Sequence, residues 1–129
     1  MKKIILLLTL GFLPTTLLAE NVLSEQYADC MDKTGGAIPE ILNCISIEND
    51  SQDIRLNRAY KAAQTQLSSL RAKQLQEVQR IWIKYRNANC KFYADTHGAT
   101  SASIRTNECL MNATASRALE LENLKYIEQ

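Results

Sequence analysis

Little in this sequence bends, stiffens or breaks a chain. Its 129 residues include two prolines and four glycines, which excludes collagen-like, proline-rich and other low-complexity architectures. One tryptophan and two phenylalanines leave few large rings to build around. Charge of neither sign dominates: the formal net charge of +1 excludes a nucleic-acid binder that works through bulk positive charge. There is no glycine-rich phosphate loop, no helical two-histidine metalloprotease motif and no nucleophile elbow. No stretch of any length alternates with the period of a β-strand. What remains has the size of one domain and an ordinary globular composition, 46% hydrophobic and 22% charged.

The N-terminus reads as an export signal. Met1, Lys2 and Lys3 precede an apolar run from Ile4 to Leu13, broken by Gly11 and closed by Pro14. A basic start followed by a short apolar run is secretory, and the run falls short of the roughly 20 residues a spanning helix needs. Cleavage is expected after Ala19. The signal peptide is then residues 1–19 and the mature domain residues 20–129, with no stable membrane insertion after cleavage. The mature chain has 110 residues, 13 basic and 14 acidic, and a formal charge of −1. No cysteine closely follows the cut, which argues against a lipid anchor there. Cys30, Cys44, Cys90 and Cys109 all remain. An even count in a small exported domain reads as two disulfides, and four cysteines allow three pairings.

The rest of the chain reads as all-α. Val22, Leu23, Tyr27 and Cys30 recur at helical spacing and predict a short first helix that ends at Thr34-Gly35-Gly36. Pro39 suits the first turn of a second helix, from about Pro39 to Leu67. Its stripe is Leu56, Tyr60, Ala63, Leu67 and Leu70, and Asn49-Asp50-Ser51 is expected to kink it. A third stripe, Leu75, Val78, Trp82, Tyr85, Asn89 and Phe92, is out of phase with the second by one residue. A break near Ser68 to Lys73 explains the slip and lets two antiparallel helices face each other. Trp82, Tyr85 and Phe92 are read as core. Thr96 to Ser101 is a turn cluster, and the last helix is expected from about Ser103 to Ile127, with Leu110, Thr114, Arg117, Leu121 and Leu124 inward. The architecture expected is a small antiparallel bundle, a short helix plus three longer ones. Each cysteine pair then flanks one helical turn, so Cys30–Cys44 and Cys90–Cys109 are the expected bonds.

Few side chains converge for chemistry. His97 is the sole histidine and, beside Asp95 and Gly98, reads as a solvated loop residue rather than a ligand, since zinc takes three or four ligands. The close carboxylates, Asp50/Asp53 and Glu120/Glu122, do not read as the facing pair of a glycosidase. Lys73, Arg80, Lys84 and Lys91 share one face of the third helix but are interrupted by Glu77, and read as a solvated face. Arg86 and Arg117 fall where apolar residues are expected. They read as braces for helix ends or carboxylates, with a groove for a partner's acidic group as the functional alternative. Neither catalysis nor a metal or cofactor is expected.

The run Gln79-Arg80-Ile81-Trp82-Ile83-Lys84-Tyr85-Arg86-Asn87-Ala88-Asn89-Cys90 resembles the signature of the lysozyme inhibitor LprI-type N-terminal domain family of the bacterial envelope. Asp53-Ile54-Arg55-Leu56-Asn57-Arg58-Ala59-Tyr60 is similar to its Asp-x-x-Leu-Asn-x-x-Tyr segment, and Cys109-Leu110, Thr114, Arg117 and Leu121 to its tail. The likeness spans about residues 27–124. It marks Leu56, Asn57, Tyr60, Gln79, Arg80, Trp82, Tyr85, Arg86, Thr114 and Arg117 as family-motif residues. It implies a periplasmic or secreted helical domain that binds lysozyme or another peptidoglycan hydrolase of the muramidase type and blocks it without catalysis. The alternative is an envelope interaction module with no enzyme target. Glycoside hydrolysis uses two carboxylates, so a basic surface is the natural plug. Lys91, His97, Gly98 and Arg105, around the Thr96–Ser101 loop, are the expected partner-binding residues.

Overall fold

The structure, a computed structural model, describes residues 22–95 and 98–124. Four helices follow one another: α1 (Glu25–Asp32), α2 (Ile38–Gln66), α3 (Ser69–Phe92) and α4 (Ala99–Asn123), with a single 3-10 turn at Tyr93–Asp95. No strand occurs among the described residues. Local chemistry places each boundary. The Ser24 hydroxyl caps α1 by accepting from the Tyr27 N–H. Gly35 and Gly36 turn the chain at φ 56° and 82°, which residues with a Cβ resist, and Pro39 occupies the first turn of α2.

The expected kink at Asn49-Asp50-Ser51 is absent, and α2 runs unbroken through it. Asp50 and Ser51 point to solvent, and Asn49 donates to the Asn107 carbonyl on α4 at 3.4 Å, so none competes with the helical ladder. The break between α2 and α3 falls at Leu67–Ser68. Leu67 is extended and Ser68 caps α3 by accepting from the Arg71 N–H. α4 begins at Ala99, four residues ahead of the expected start, because Gly98 at φ 46° already makes the turn. Thr100 and Ser101 are therefore helical rather than part of a loop. The expected end of α4 at Ile127 lies outside the described residues.

Cys30–Cys44 ties α1 to α2 and Cys90–Cys109 ties α3 to α4, the pairing expected from the helical turns. Cross-contacts fix the directions. Asp53 meets Arg86, Asn49 meets Asn107 and Arg55 meets Glu122. α3 therefore runs antiparallel to its two neighbours, α2 and α4 run parallel, and both disulfides lie at one end. α2 and α4 make the most extensive contact. Ala59, Ala63 and Ala118 allow these two helices to approach closely, and Leu56, Leu75 and Leu121 complete the cluster, with Tyr60, Leu67, Trp82 and Leu124 packed against it. Towards the stapled end Ile45, Met111, Thr114 and Cys90 are fully enclosed.

α3 is rotated from the orientation its apolar pattern suggests. Leu75, Gln79 and Cys90 are buried, and Trp82, Arg86 and Asn89 half-buried. Val78, Tyr85 and Phe92 instead expose 51, 65 and 71% of their surface. Tyr85 and Phe92 are thus not core. The polar positions face inward because α4 offers them partners: Arg86 reaches Thr114 and Gln79 receives Arg117. Leu70, expected on the stripe of α2, belongs to the first turn of α3 and is exposed.

A polar clamp anchors the segment before α1. Glu48 is only 2% exposed, yet its carboxylate accepts from the Ser24 N–H at 2.8 Å, the Ser24 hydroxyl at 2.5 Å and the Gln52 amide at 2.7 Å. Arg55 forks onto Glu122 at 2.6 and 2.8 Å and donates to the Val22 carbonyl at 2.9 Å. Burial pushes the Glu48 carboxyl up. The Ser24 and Gln52 hydrogen bonds and the nearby Arg55 charge outweigh it and hold the group below its usual value.

Replacing Cys90 and Cys109 together by alanine is expected to cost about 3 kcal/mol for a ring of this size, measured by chemical denaturation. For the clamp, a lowered folded pKa means that Glu48 adds stability above its unfolded pKa, and that this is lost as pH falls through the folded value. Glu48→Gln should therefore destabilise at pH 7 by about 1–3 kcal/mol, with the gap to the parent closing on acidification below about pH 4. A gap that stays constant from pH 7 to pH 3 would show that the ionised form is not what the clamp uses.

Candidate functional site

The largest gathering of motif residues lies where α2 and α3 diverge. From α2, Asp53, Leu56, Asn57 and Tyr60 project along one helical face. From α3, Gln76, Gln79, Arg80, Ile83 and Arg86 face them across an open groove of about 370 Å³. Buried Leu56 forms part of its floor and exposed Asn57 and Arg80 its rim. Tyr60 Oη accepts from the Gln64 amide at 2.8 Å.

The groove is braced from behind. The Arg86 side chain, 18% exposed, donates to Thr114 Oγ1 at 2.9 Å and to Asn87 Oδ1, and stands 3.8 Å from the Asp53 carboxylate. Arg117 donates to Gln79 Oε1 at 3.0 Å and to Glu120 at 2.7 Å. Both guanidinium groups lie over the Trp82 ring, at 5.1 and 5.9 Å from its centroid, a distance at which the ring face attracts cations. Trp82 is thus the ring that two arginines on adjacent helices share.

The structure brings Leu56, Asn57, Tyr60, Gln79, Arg80 and Arg86 together at one groove and sets Trp82, Thr114 and Arg117 behind it as the brace. Tyr85 points away into solvent. The expected partner-binding residues lie elsewhere, at the stapled end. Lys91 follows Cys90, Arg105 lies one helical turn before Cys109, Gly98 caps α4, and all three are exposed. His97 lies outside the described residues.

The chemistry available is that of recognition. Amides, a phenol and guanidinium groups can bond a ligand, but the carboxylates are committed: Asp53 stands by Arg86, Glu120 by Arg117 and Glu122 by Arg55. No group of three or more histidine, cysteine or acidic residues among the described residues is placed to hold a metal ion. Sequence reasoning missed Ser24, Glu48, Gln52 and Arg55. The signal was present: Glu48 and Gln52 fall in phase with Leu56, Ala59 and Ala63 on the inner face of α2.

The sequence profile described as lysozyme inhibitor LprI matches residues 30–121. The chain belongs to the LprI lysozyme inhibitor family. The matched stretch begins at Cys30, in the first disulfide, and ends at Leu121, in the core cluster. The LprI match thus takes in both staples, the groove and the brace. It supports a lysozyme-inhibitor-like function at the level of the family. No curated protein and no solved structure matches the chain.

Removing the ring of Trp82 separates the two arginines from the surface they share. Trp82→Ala should cost about 3 kcal/mol. Arg86→Lys keeps the charge but loses the forked contacts to Asn87 and Thr114, and should cost about 1 kcal/mol. Thermal melts followed by circular dichroism measure both, and a melt unmoved by Trp82→Ala would show that the stack does not hold α3.

Proposed function

We propose that the chain is exported, loses residues 1–19, and acts in the periplasm or outside the cell by binding a muramidase-type hydrolase and blocking it without chemistry of its own. Membership of the LprI family supports this reading. So do two disulfides, which suit an oxidising compartment. Among the described residues no helix is long and apolar enough to cross a membrane.

One observation carries the surface assignment. The Cys90–Cys109 bond pins the junction of α3 and α4, where Lys91 and Arg105 are exposed and make no ion pair among the described residues. A basic plug on a rigid support suits a cleft that holds two carboxylates, because little ordering is left for binding to impose. The expected cut is compatible with the clamp. The Val22 carbonyl and Ser24 are used by Arg55 and Glu48, so a cut that preserves the fold lies upstream of Val22, and cleavage after Ala19 does.

The mature protein should slow the clearing of a cell-wall suspension by a lysozyme of the c, g or phage class. The Lys91→Ala, Arg105→Ala double variant should need about tenfold more protein for the same effect with an unchanged melt. Intact-mass measurement of the exported protein should give a chain starting at Glu20. If saturating protein leaves every class fully active, the inhibitor reading fails and an envelope interaction module takes its place.

A further inference from the structure

The side of α3 turned from the core carries two parallel rows. Val78, Ile81, Tyr85 and Phe92 follow at steps of three, four and seven residues, so they share one face, and all are exposed, Ile81 by 58%. The row is about 21 Å long at the helical rise, with Ala88 in the gap between Tyr85 and Phe92, unlike the scattered apolar residues of an ordinary surface. Beside it, Lys73, Arg80 (which also forms the rim of the groove), Lys84 and Lys91 step by seven, four and seven residues, and all are exposed. Glu77 alone interrupts them. Its 3.6 Å contact with Arg80 joins two solvated side chains and contributes little. Lys84 and Lys91 make no ion pair among the described residues. The fold needs neither row, because α3 packs through Leu75, Gln79, Trp82 and Arg86.

Charge and shape decide what covers this face. A second copy packed antiparallel against it about a two-fold axis would set one basic row against another, which costs binding energy where water is excluded. A bilayer surface takes a broad apolar arc, and this seam is narrow, with a basic row along one edge only. A narrow apolar seam with a basic edge fits a groove that has an apolar floor and a carboxylate on the wall beside that edge. The cleft of a glycoside hydrolase supplies the carboxylates.

We propose that the outer face of α3 lies lengthwise in the substrate cleft of the target hydrolase, the Val78–Phe92 seam on its floor and Lys84 and Lys91 against its carboxylates. This rests on the inhibitor reading and extends it. The seam ends beside Lys91, so the helix and the stapled junction form one surface.

The test uses the mature protein and a lysozyme that it inhibits. Ile81→Glu and Lys84→Glu should each raise the inhibitory concentration at least about tenfold. Their melts should match the parent, since both side chains are exposed. Ile47→Glu, at an equally exposed isoleucine on α2, should leave inhibition unchanged. If the parent inhibits and both α3 variants inhibit equally well, this docking is wrong while the inhibitor reading stands. If the parent inhibits no lysozyme, both fall. A dimer in sedimentation that Ile81→Glu dissociates, or binding to vesicles of phosphatidylglycerol and phosphatidylcholine that Ile81→Glu abolishes, would assign the face to a second copy or to lipid and overturn the proposal.

Discussion

The Trp82 ring carries the guanidinium groups of both Arg86, on its own helix, and Arg117, on α4. The stack sets how α3 is rotated about its axis. With Trp82 turned towards α4, Gln79 and Arg86 turn in with it and find Arg117 and Thr114. Arg80 and Ile83 then face α2 and line the groove, and Val78, Ile81 and Tyr85 are carried to the solvent side. Had α3 buried its apolar row instead, Gln79 and Arg86 would have turned out to water, and the half-buried Arg117 on α4 would have lost its bond to Gln79 and its contact with the Trp82 ring. The groove and the exposed seam are thus two results of one orientation.

The two ends of the bundle are held by different means. At one end are the disulfides, with Ile45, Met111 and Cys90 enclosed beside them. At the other the chain reverses at Leu67–Ser68, and Leu67, Leu75 and Leu124 supply the packing. Along the length of α2, the Glu48–Gln52–Arg55 series replaces apolar packing with hydrogen bonds to the residues before α1 and to Glu122. Buried polar groups fix register in a way that interchangeable methyl groups cannot. Here they set where the segment before α1 lies against α2.

Much of the fold was legible because turns and cysteines are local signals. Gly35-Gly36 marks the first reversal, and the one-residue slip in the apolar pattern locates the second at the edge of the observed break. Each cysteine pair flanks a turn, which leaves one economical pairing. The facing of α3 was not legible. Periodicity finds a row of apolar residues but does not say that the row is buried, and here partners on α4 make the polar row the inner one. The same reason hid Glu48 and Gln52, whose phase matches the core but whose chemistry does not. Of the site, the motif residues were named but not their meeting at one groove, because that depends on α2 and α3 diverging above Leu56.

The four cysteines bond in the order in which they occur, first with second and third with fourth. A chain delivered N-terminus first into an oxidising space therefore presents each thiol to its correct partner before any competitor arrives. The first ring closes around the turn between α1 and α2 and commits none of the residues that later meet α3. Once Cys30 and Cys44 are bonded, Cys109 is the one thiol left for Cys90. No bond has to be broken and remade for the chain to reach its final connectivity. Of the three possible pairings it is the one in which neither ring encloses a cysteine of the other.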